Sequence, residues 1–437
     1  MNVAVIGMGK IGLPLAVQYA RKNHNVTGVD INPTTVKLIN SGREPFPEEK
    51  NLKEILLDVV KQGKLKATQH YEEAIESADV IVVVVPLFVD SNSQPDFRAM
   101  DLAAEGIGRS IKKGTLVCFE TTLPVGITRK RLIPLIEKNS DFTAGKDFFV
   151  VFSPERVFTS RVFEDLKKYP KIVGGLTETC TKKATEFYES VIDFDTREDL
   201  SQPNGVWQMN SLEEAEFVKL AETTYRDVNI ALANQFAVFA EKSGLNIYKV
   251  IQAANSQPFS HIHKPGISVG GHCIPIYPQF YLLGDKEASI IREARNVNSK
   301  MPVHIGQLLL NKKGSLKNLE VLVLGISYRA NVKESAFSGV FPLCKFLSEK
   351  GAKVEVIDPF FSEKEIMELN LTPFSGNPKR VDTIVVHTDH LEFTNLIQKE
   401  FQNVNLVVDG RNLIRQNMLG ENTELLTIGI GRDSDGA

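Results

Sequence analysis

The sequence predicts an α/β protein with a parallel-sheet unit at each end and a long helical segment between them. Three observations carry that prediction. Short Val/Ile-rich runs alternate with charged helical segments at both ends of the chain. A glycine-rich turn follows the first of these runs. In the middle, apolar residues keep a helical period over about 30 residues, well beyond the usual length of a globular helix.

Length and composition bound what this can be. At 437 residues the chain is too long for one ordinary domain, so two or three are expected, and the division read along the chain is 1–200, 201–300 and 301–437. It is 42% hydrophobic and 24% charged, which is ordinary for a protein with sizeable cores. A formal net charge of -3 gives no reason to expect nucleic acid or an anionic membrane as a partner. No apolar run reaches the roughly 20 residues that span a bilayer. The apolar first 20 residues lack the basic start and cleavage-like end of a signal peptide. Cys118, Cys180, Cys273 and Cys344 are scattered with no CxxC pair, so neither a disulfide framework nor a metal site is expected, and the chain reads as cytoplasmic.

The first element is "NVAVIGMGKIGLPLAVQYA", a run of strand length, then Gly7-x-Gly9-x-x-Gly12 enclosing Lys10 and Ile11, then a helix-like segment. A second strand, "NVTGVD", ends in Asp30, 18 residues after Gly12. Gly7 permits the tight turn, Gly9 lets backbone approach a pyrophosphate, and Gly12 allows close helix-to-strand packing. The pyrophosphate would sit at the helix N-terminus, and Asp30 would accept hydrogen bonds from the adenosine ribose. Strand before, helix after and an acid at this distance make a Rossmann-type dinucleotide site. A carboxylate there repels a 2′-phosphate, so NAD is expected rather than NADP. The plainer reading is a glycine-rich turn with Asp30 as a helix cap.

Next come "DVIVVVVP", "GTLVCFETT" and "DFFVVFSPER", near-continuous strands typical of a sheet covered on both faces. Ligands in such sheets bind past the strand C-termini, which points to Pro86, to Thr121 and Thr122, and to Glu155 and Arg156. Thr121 and Thr122 also suit an ordinary turn before Pro124.

From 211 the pattern is one helix, "SLEEAEFVKLAETTYRDVNIALANQFAVFAEKSG". Ser211 with Glu214 forms a capping box and Gly244 fits the C-terminal cap. Lys219 and Thr223 are four apart and share a face. A helix so long and apolar joins domains or builds a subunit interface, and a homodimer through it is expected.

"KPGISVGGHCIPIYP" then sets Cys273 among three glycines and three prolines, as bystander, metal ligand or nucleophile. The last third reads as four strands, in "LEVLVLGISYR", "AKVEVIDP", "DTIVVHTD" and "VNLVVDGRN". This second Rossmann-like unit has Gly325 but no further fingerprint glycine, so a nucleotide diphosphate rather than a second dinucleotide is expected at its strand ends. Arg329 and Arg411 stand at two such ends, where they could pair with phosphate or simply face solvent.

Taken together, "GMGKIGLP", "TTLPVG", "SPERVF", "VKLAETTYRDVNIALAN", "PGISVGGHCIP" and "VDGRN" resemble, in order and over essentially the whole chain, the UDP-glucose/GDP-mannose dehydrogenase family. The histidine before the cysteine is similar to the branch acting on UDP-N-acetylhexosamines, notably UDP-N-acetylmannosamine. The resemblance implies oxidation of a sugar C6 alcohol to the uronic acid in two hydride transfers to NAD, within polysaccharide biosynthesis. It implies that Cys273 attacks the aldehyde, giving a thiohemiacetal that is oxidised to a thioester. Lys219 would stabilise the oxyanion or assist proton transfer, with Thr223 beside it, and Glu155 and Thr122 would place or activate water. Substrate contacts are implied for Glu155, Arg156, Val157, Lys219, His261, His263, Gly270, Gly271, Tyr328, Arg329 and Arg411. Cofactor contacts are implied for Gly7, Gly9, Lys10, Ile11, Gly12, Asp30, Pro86, Thr121 and Thr122.

Departures from the family pattern are Thr223 for asparagine, Tyr277 for aspartate, Phe259 for arginine and Ala336 for arginine. They fall on substrate and hydrolysis positions, not on the fold. Tyrosine, with a pKa near 10, cannot replace a carboxylate base at neutral pH. UDP-glucose or another NDP-hexose is the alternative substrate. A hydroxyacid dehydrogenase would need neither the cysteine loop nor a third αβ part, and a catalytically impaired nucleotide-sugar-binding protein is the reading from another class.

Overall fold

The computed structural model describes residues 1–46, 49–90, 94–402 and 404–431. The chain divides into two compact units, Met1–Ala221 and Glu222–Ala437.

In the first unit, β1 (Asn2–Ile6), β2 (Asn25–Val29), β3 (Leu65–Thr68) and β4 (Val80–Val83) form half of an eight-stranded sheet. A two-stranded ribbon follows, β5 (Phe88–Val89) with β6 (Pro95–Asp96). The sheet is completed by β7 (Leu116–Phe119), β8 (Phe149–Phe152), β9 (Lys171–Gly175) and β10 (Val206–Met209), in the order β10-β9-β8-β7-β4-β1-β2-β3. The connecting helices are α1 (Gly12–Arg21), α2 (Pro33–Asn40), α3 (Leu52–Lys61), α4 (Tyr71–Ile75), α5 (Arg98–Ser110), α6 (Ile133–Lys138), α7 (Val162–Lys168) and α8 (Glu178–Val191). Alternation along the strands builds a core on each face. On β1, Val3 and Val5 pack with one cluster while Ala4 and Ile6 pack with the other.

One feature departs from the parallel sheet that the sequence predicts. β9 runs antiparallel to β8, with Val151 opposite Gly175 and Phe152 opposite Gly174, and β10 follows β9. Continued past the end of β8, that register sets Lys171 against Glu155. The reversal therefore delivers a lysine to the edge of the sheet where β1–β4, β7 and β8 end.

Helix α9 (Leu212–Lys242) belongs to both units. Glu214 N donates to Ser211 Oγ at 3.1 Å, but the Glu214 carboxylate reaches back to Asn210 N instead of Ser211, so half of the capping box forms. At the other end Gly244 has φ 68° and Leu245 N donates to Ala240 O, as the expected glycine cap requires.

The second unit adds α10 (Ile247–Ala254), α11 (Tyr277–Gly284) and α12 (Ser289–Lys313) ahead of a five-stranded parallel sheet. Its strands are β11 (Glu320–Leu324), β12 (Lys353–Ile357), β13 (Thr383–Val386), β14 (Leu406–Asp409) and β15 (Glu424–Thr427), in the order β12-β11-β13-β14-β15. α13 (Val340–Glu349), α14 (Glu363–Glu368) and α15 (Glu392–Glu400) connect them. The sequence predicts four of these strands. β15 escapes the reading because "ELLT" is short and half-buried, with no long Val/Ile run.

Candidate active site

In the first unit the turn after β1 has the geometry that its glycines imply. Gly7 adopts φ 94°, and its N–H donates to Val29 O at 2.8 Å. A Cβ on Gly12 would stand 1.8 Å from Gly7 O, whereas a Cβ on Gly9 would meet nothing within 4 Å. The chain is thus closed where helix meets strand and open where a ligand would approach. α1 begins without a side-chain cap or an acidic residue in its first turn, which leaves its positive end to an anion. Lys10 is exposed beside it and Ile11 is half-buried.

Asp30 ends β2 with both oxygens engaged by backbone. Oδ2 accepts from Met8 N at 2.9 Å and Oδ1 from Asn32 N at 2.8 Å. These bonds fix the carboxylate while leaving lone pairs for ribose hydroxyls. This is more than the helix cap of the plainer reading, since Asn32 supplies the cap of α2 itself. The residues present therefore fit NAD: Gly7, Gly9 and Gly12 would shape the pyrophosphate turn, and Asp30 would meet the ribose.

Pro86 is exposed past β4. Thr121 Oγ1 donates to Val85 O at 2.6 Å, which ties the ends of β4 and β7, and Thr122 is buried. The loop that follows is held by a residue absent from the sequence reading. Glu216 of α9 is fully buried and accepts from Gly126 N, from Thr128 N at 3.0 Å and from Thr128 Oγ1 at 2.6 Å. Lys219 lies three residues further along α9 and, contrary to the usual solvated lysine, is only 9% exposed.

Glu155 sits in a charged cluster. Lys171 Nζ stands 2.9 Å from Glu155 Oε2 and 3.1 Å from Glu120 Oε2, and Tyr188 OH donates to Glu120 Oε1 at 2.6 Å. Burial opposes the charge on Glu155, but Lys171 overrides it and its carboxyl lies below the usual range. Glu120, deeper still, is pushed up by burial. Arg156 Nη1 donates to Pro170 O at 3.3 Å, and Val157 packs on the neighbouring core.

In the second unit the cysteine loop is held from three sides. Asn234 of α9 accepts from Gly266 N at 2.9 Å, and Asn229 accepts from His263 N at 3.0 Å while donating to His261 O at 2.8 Å. Arg295 of α12 donates to Ile274 O at 3.2 Å, and its Nε stands 3.3 Å from the fully buried Asp227 of α9. Asn298 joins the two helices by donating to Asp227 Oδ1 at 2.7 Å and accepting from Asn234 at 2.8 Å. Thr223, buried one turn before Asp227, starts this stretch of α9.

The loop lies flat on the turn after β11. A Cβ on Gly270 would stand 2.5 Å from the Tyr328 side chain, one on Gly271 would stand 2.9 Å from its ring, and Gly271 N donates to Ala336 O at 2.8 Å. His272 is exposed, with Nε2 3.5 Å from Glu334 Oε2. Cys118, Cys180 and Cys344 are buried thiols, and Cys273 is exposed. The carbonyl of Cys273 accepts from Tyr277 N at 2.9 Å, and the Tyr277 ring packs 5.8 Å from Phe280. Phe259 is 91% exposed.

Arg411 does not simply face solvent. It donates to His387 O at 2.7 Å, Tyr328 O at 2.9 Å and Ser268 Oγ at 3.4 Å, and so ties the cysteine loop to two strand ends. Arg329 lies over the Tyr328 ring and donates to its hydroxyl at 3.2 Å. No group of metal-ligating side chains is found among the described residues, and no helix among them is long and apolar enough to cross a membrane.

Comparison with known proteins shows the family and the fold. Three family models match the chain: the NAD binding domain of the UDP-glucose/GDP-mannose dehydrogenase family over residues 1–192, its central domain over 213–300 and its UDP binding domain over 322–416. The UDP-N-acetyl-D-mannosamine dehydrogenase of Pyrococcus horikoshii is 34% identical, with 99% of each chain covered. A solved UDP-D-ManNAc dehydrogenase from the same organism superposes with a TM-score of 0.87 at 32% identity, over 99% of this chain and 100% of that one. The NDP-N-acetyl-D-galactosaminuronic acid dehydrogenase of Methanosarcina mazei Go1 gives 0.86 at 28% identity, over 100% and 96%.

Proposed function

The chain belongs to the UDP-glucose/GDP-mannose dehydrogenase family and is an NAD-dependent nucleotide-sugar dehydrogenase; from that premise we propose that it oxidises the C6 hydroxyl of a UDP-N-acetylhexosamine, UDP-N-acetylmannosamine foremost, to the uronic acid. Supporting the sugar class are the similar proteins named above, which act on N-acetylated sugars, and the histidine that precedes Cys273. UDP-glucose is the second reading, favoured only by the breadth of the family.

The observation that carries the mechanism is Cys273, the exposed thiol among four, in a loop tied down at Gly266, Gly271 and Ile274. Bound NAD supplies a hydride acceptor, and oxidation of an alcohol to an acid needs two such acceptances. The chain's residues do the rest. The Cys273 thiolate forms an S–C bond to the aldehyde carbon, and loss of hydride from that adduct leaves a thioester. Lys219 holds positive charge toward the oxyanion, and Thr223 offers a hydroxyl donor on the same helix face. Glu155, kept ionised by Lys171, takes a proton from the water that cleaves the thioester. Tyr277 leaves that loop without the family's carboxylate, so Glu155 carries the base role. Arg411 and Tyr328 shape the nucleotide end at the second sheet. Around α9, Phe217, Tyr225, Leu232, Phe236 and Phe239 are exposed large apolar side chains, and they support a homodimer through this helix. Three buried free thiols suit a reducing compartment, the cytoplasm.

The test is NADH yield per sugar with a panel of nucleotide sugars, with Cys273→Ser alongside. The expected result is about two NADH per N-acetylated sugar for the natural protein, and arrest after the first oxidation for the variant, because a serine hydroxyl is far less ionised than a thiol. A fully active Cys273→Ser refutes the covalent route. A better rate with UDP-glucose refutes the sugar assignment.

A further inference from the structure

Glu155 does not stand alone, and what lies behind it has no place in the reading so far. Glu120 ends the chain segment after β7, Lys171 opens β9 and Tyr188 belongs to α8. The three meet behind Glu155 in a space closed to solvent. The Glu155 side chain is 11% exposed, Lys171 4% and Glu120 0%. Lys171 bridges the two carboxylates, and the Tyr188 hydroxyl closes the far side of Glu120. Cys118 on β7 and the Tyr19 hydroxyl on α1 are the other titratable groups facing this space, both fully buried. Two carboxylates against one ammonium leave one negative charge uncompensated inside the protein, which favours the pair holding a proton. A structural ion pair needs one acid per lysine. The second acid, sealed from water, has a high affinity for a proton and, when empty, can be filled only through its hydrogen-bond partners.

We propose that Glu120 and Lys171 are positioning residues for the hydrolytic half of the reaction, with Lys171 fixing the Glu155 carboxylate and Glu120 receiving the proton that Glu155 draws from the attacking water. This rests on the reading that Glu155 is the base. In the step, one O–H bond of water breaks, a C–O bond forms at the thioester carbon and the Cys273 sulfur leaves as thiolate. The proton passes to Glu155 and on to Glu120 across Lys171, whose ammonium gives one proton to Glu120 as it takes one from Glu155, and no electrons change hands. The direction fits the ionisation of the pair, since Glu155 is held below the usual carboxylate range and Glu120 is raised by burial, so a proton arriving at Glu155 moves downhill to Glu120. Hydrolysis then fails as pH falls and Glu120 fills before the water is attacked.

The test separates the two hydride transfers from acid release, by following NADH and the covalent adduct in rapid-quench intact-mass measurements across pH. Glu120→Gln is expected to leave the first NADH unchanged, to slow adduct decay by about 10- to 100-fold, and to move the acid limb of that decay to lower pH, where Glu155 alone governs it. Lys171→Met should lose acid release and Lys171→Arg should recover part of it. Tyr188→Phe removes a donor to Glu120 and should move the limb to higher pH, which keeps the proposal open to refutation if Glu120→Gln fails to fold. Adduct decay in Glu120→Gln or Tyr188→Phe with the natural rate and pH profile overturns the proposal. Glu155→Gln is the control for the underlying reading: if it decays its adduct normally, the base assignment itself fails, whereas a dead Glu155→Gln beside a silent Glu120→Gln refutes only the proton store.

Discussion

Replacing Arg295 by methionine tests whether the buried ion pair under the cysteine loop is a matter of charge. Asp227 is fully buried, and Arg295 Nε stands 3.3 Å from its Oδ2, off the hydrogen-bond direction, so the contact is an ion pair only. Asn298 satisfies Oδ1 at 2.7 Å. Arg295 also donates to Ile274 O, one residue from Cys273. Methionine keeps most of the volume and removes both contacts. Losing the bond to Ile274 O costs about 1–3 kcal/mol at any pH. Leaving Asp227 buried and unpaired adds up to about 3–5 kcal/mol, but only where Asp227 is ionised.

The sign of the pH effect follows from Asp227. Burial raises its pKa, against the pull of Arg295 and Asn298. A raised carboxyl stabilises the fold below its unfolded value and loses that contribution as pH climbs through the folded value. Without Arg295 the folded value rises further, so the gap between variant and natural protein opens with pH and then flattens. At about 2–4 °C per kcal/mol for a unit of this size, the loss in Tm should be about 2–12 °C near about pH 5 and up to roughly 8–32 °C near about pH 8. Thermal unfolding across that range measures it, and the partner variant Asp227→Asn/Arg295→Met should recover most of the pH-dependent part. An equal loss at both pH values, or a double variant no better than the single one, refutes the reasoning.

Two further outcomes are expected. Asp30→Ala should raise the KM for NAD more than it lowers kcat, and should narrow the preference over NADP, because the carboxylate that meets the ribose is gone. Catalytic efficiency with NADP equal to that with NAD in the natural protein would refute the assignment. Light scattering at micromolar concentration should give a dimer, and Phe239→Lys, at a side chain 62% exposed on α9, should shift it toward monomer. A monomeric natural protein would refute the interface.

What the sequence makes legible are features whose partners are close along the chain. Gly7, Gly9, Gly12 and Asp30 lie within one strand–helix–strand unit, and the strands announce themselves by Val/Ile runs. At Cys273 the residues alone leave bystander, metal ligand and nucleophile open, the family resemblance implies the nucleophile, and the structure adds that the thiol is exposed. Glu120, Lys171, Glu216 and Asp227 are not legible. In sequence each is a charged residue in an ordinary place, and only tertiary structure buries it against a partner: Glu120 and Lys171 are 51 residues apart, and Glu216 and Gly126 are 90 apart. The reversal of β9 hides for the same reason, since "KIVGG" has the same pattern whichever way the strand runs. A strand's direction is set by its neighbours, and here it decides which end of β9 presents its lysine.

The two sheets begin with one device and put it to different uses. Gly325 repeats Gly7, with φ 102° against 94°, and each donates to the end of the next strand at 2.8 Å. Asp358 repeats Asp30, its Oδ2 accepting from Ile326 N at 2.7 Å as Asp30 accepts from Met8 N. The likeness ends there. Asp358 also accepts from Ser327 N at 3.2 Å, has His390 Nε2 at 3.4 Å, and is only 3% exposed, so no ribose reaches it. After Gly7 the chain enters α1 at Gly12, while after Gly325 it makes a long turn and enters α13 only at Val340. That turn carries Tyr328 and Ala336, the side chain and carbonyl against which Gly270 and Gly271 lie. A helix starting at once, as in the first sheet, would remove the surface that seats the cysteine loop. Without the second and third fingerprint glycines, the turn after Gly325 is long enough to carry the platform on which the cysteine loop lies.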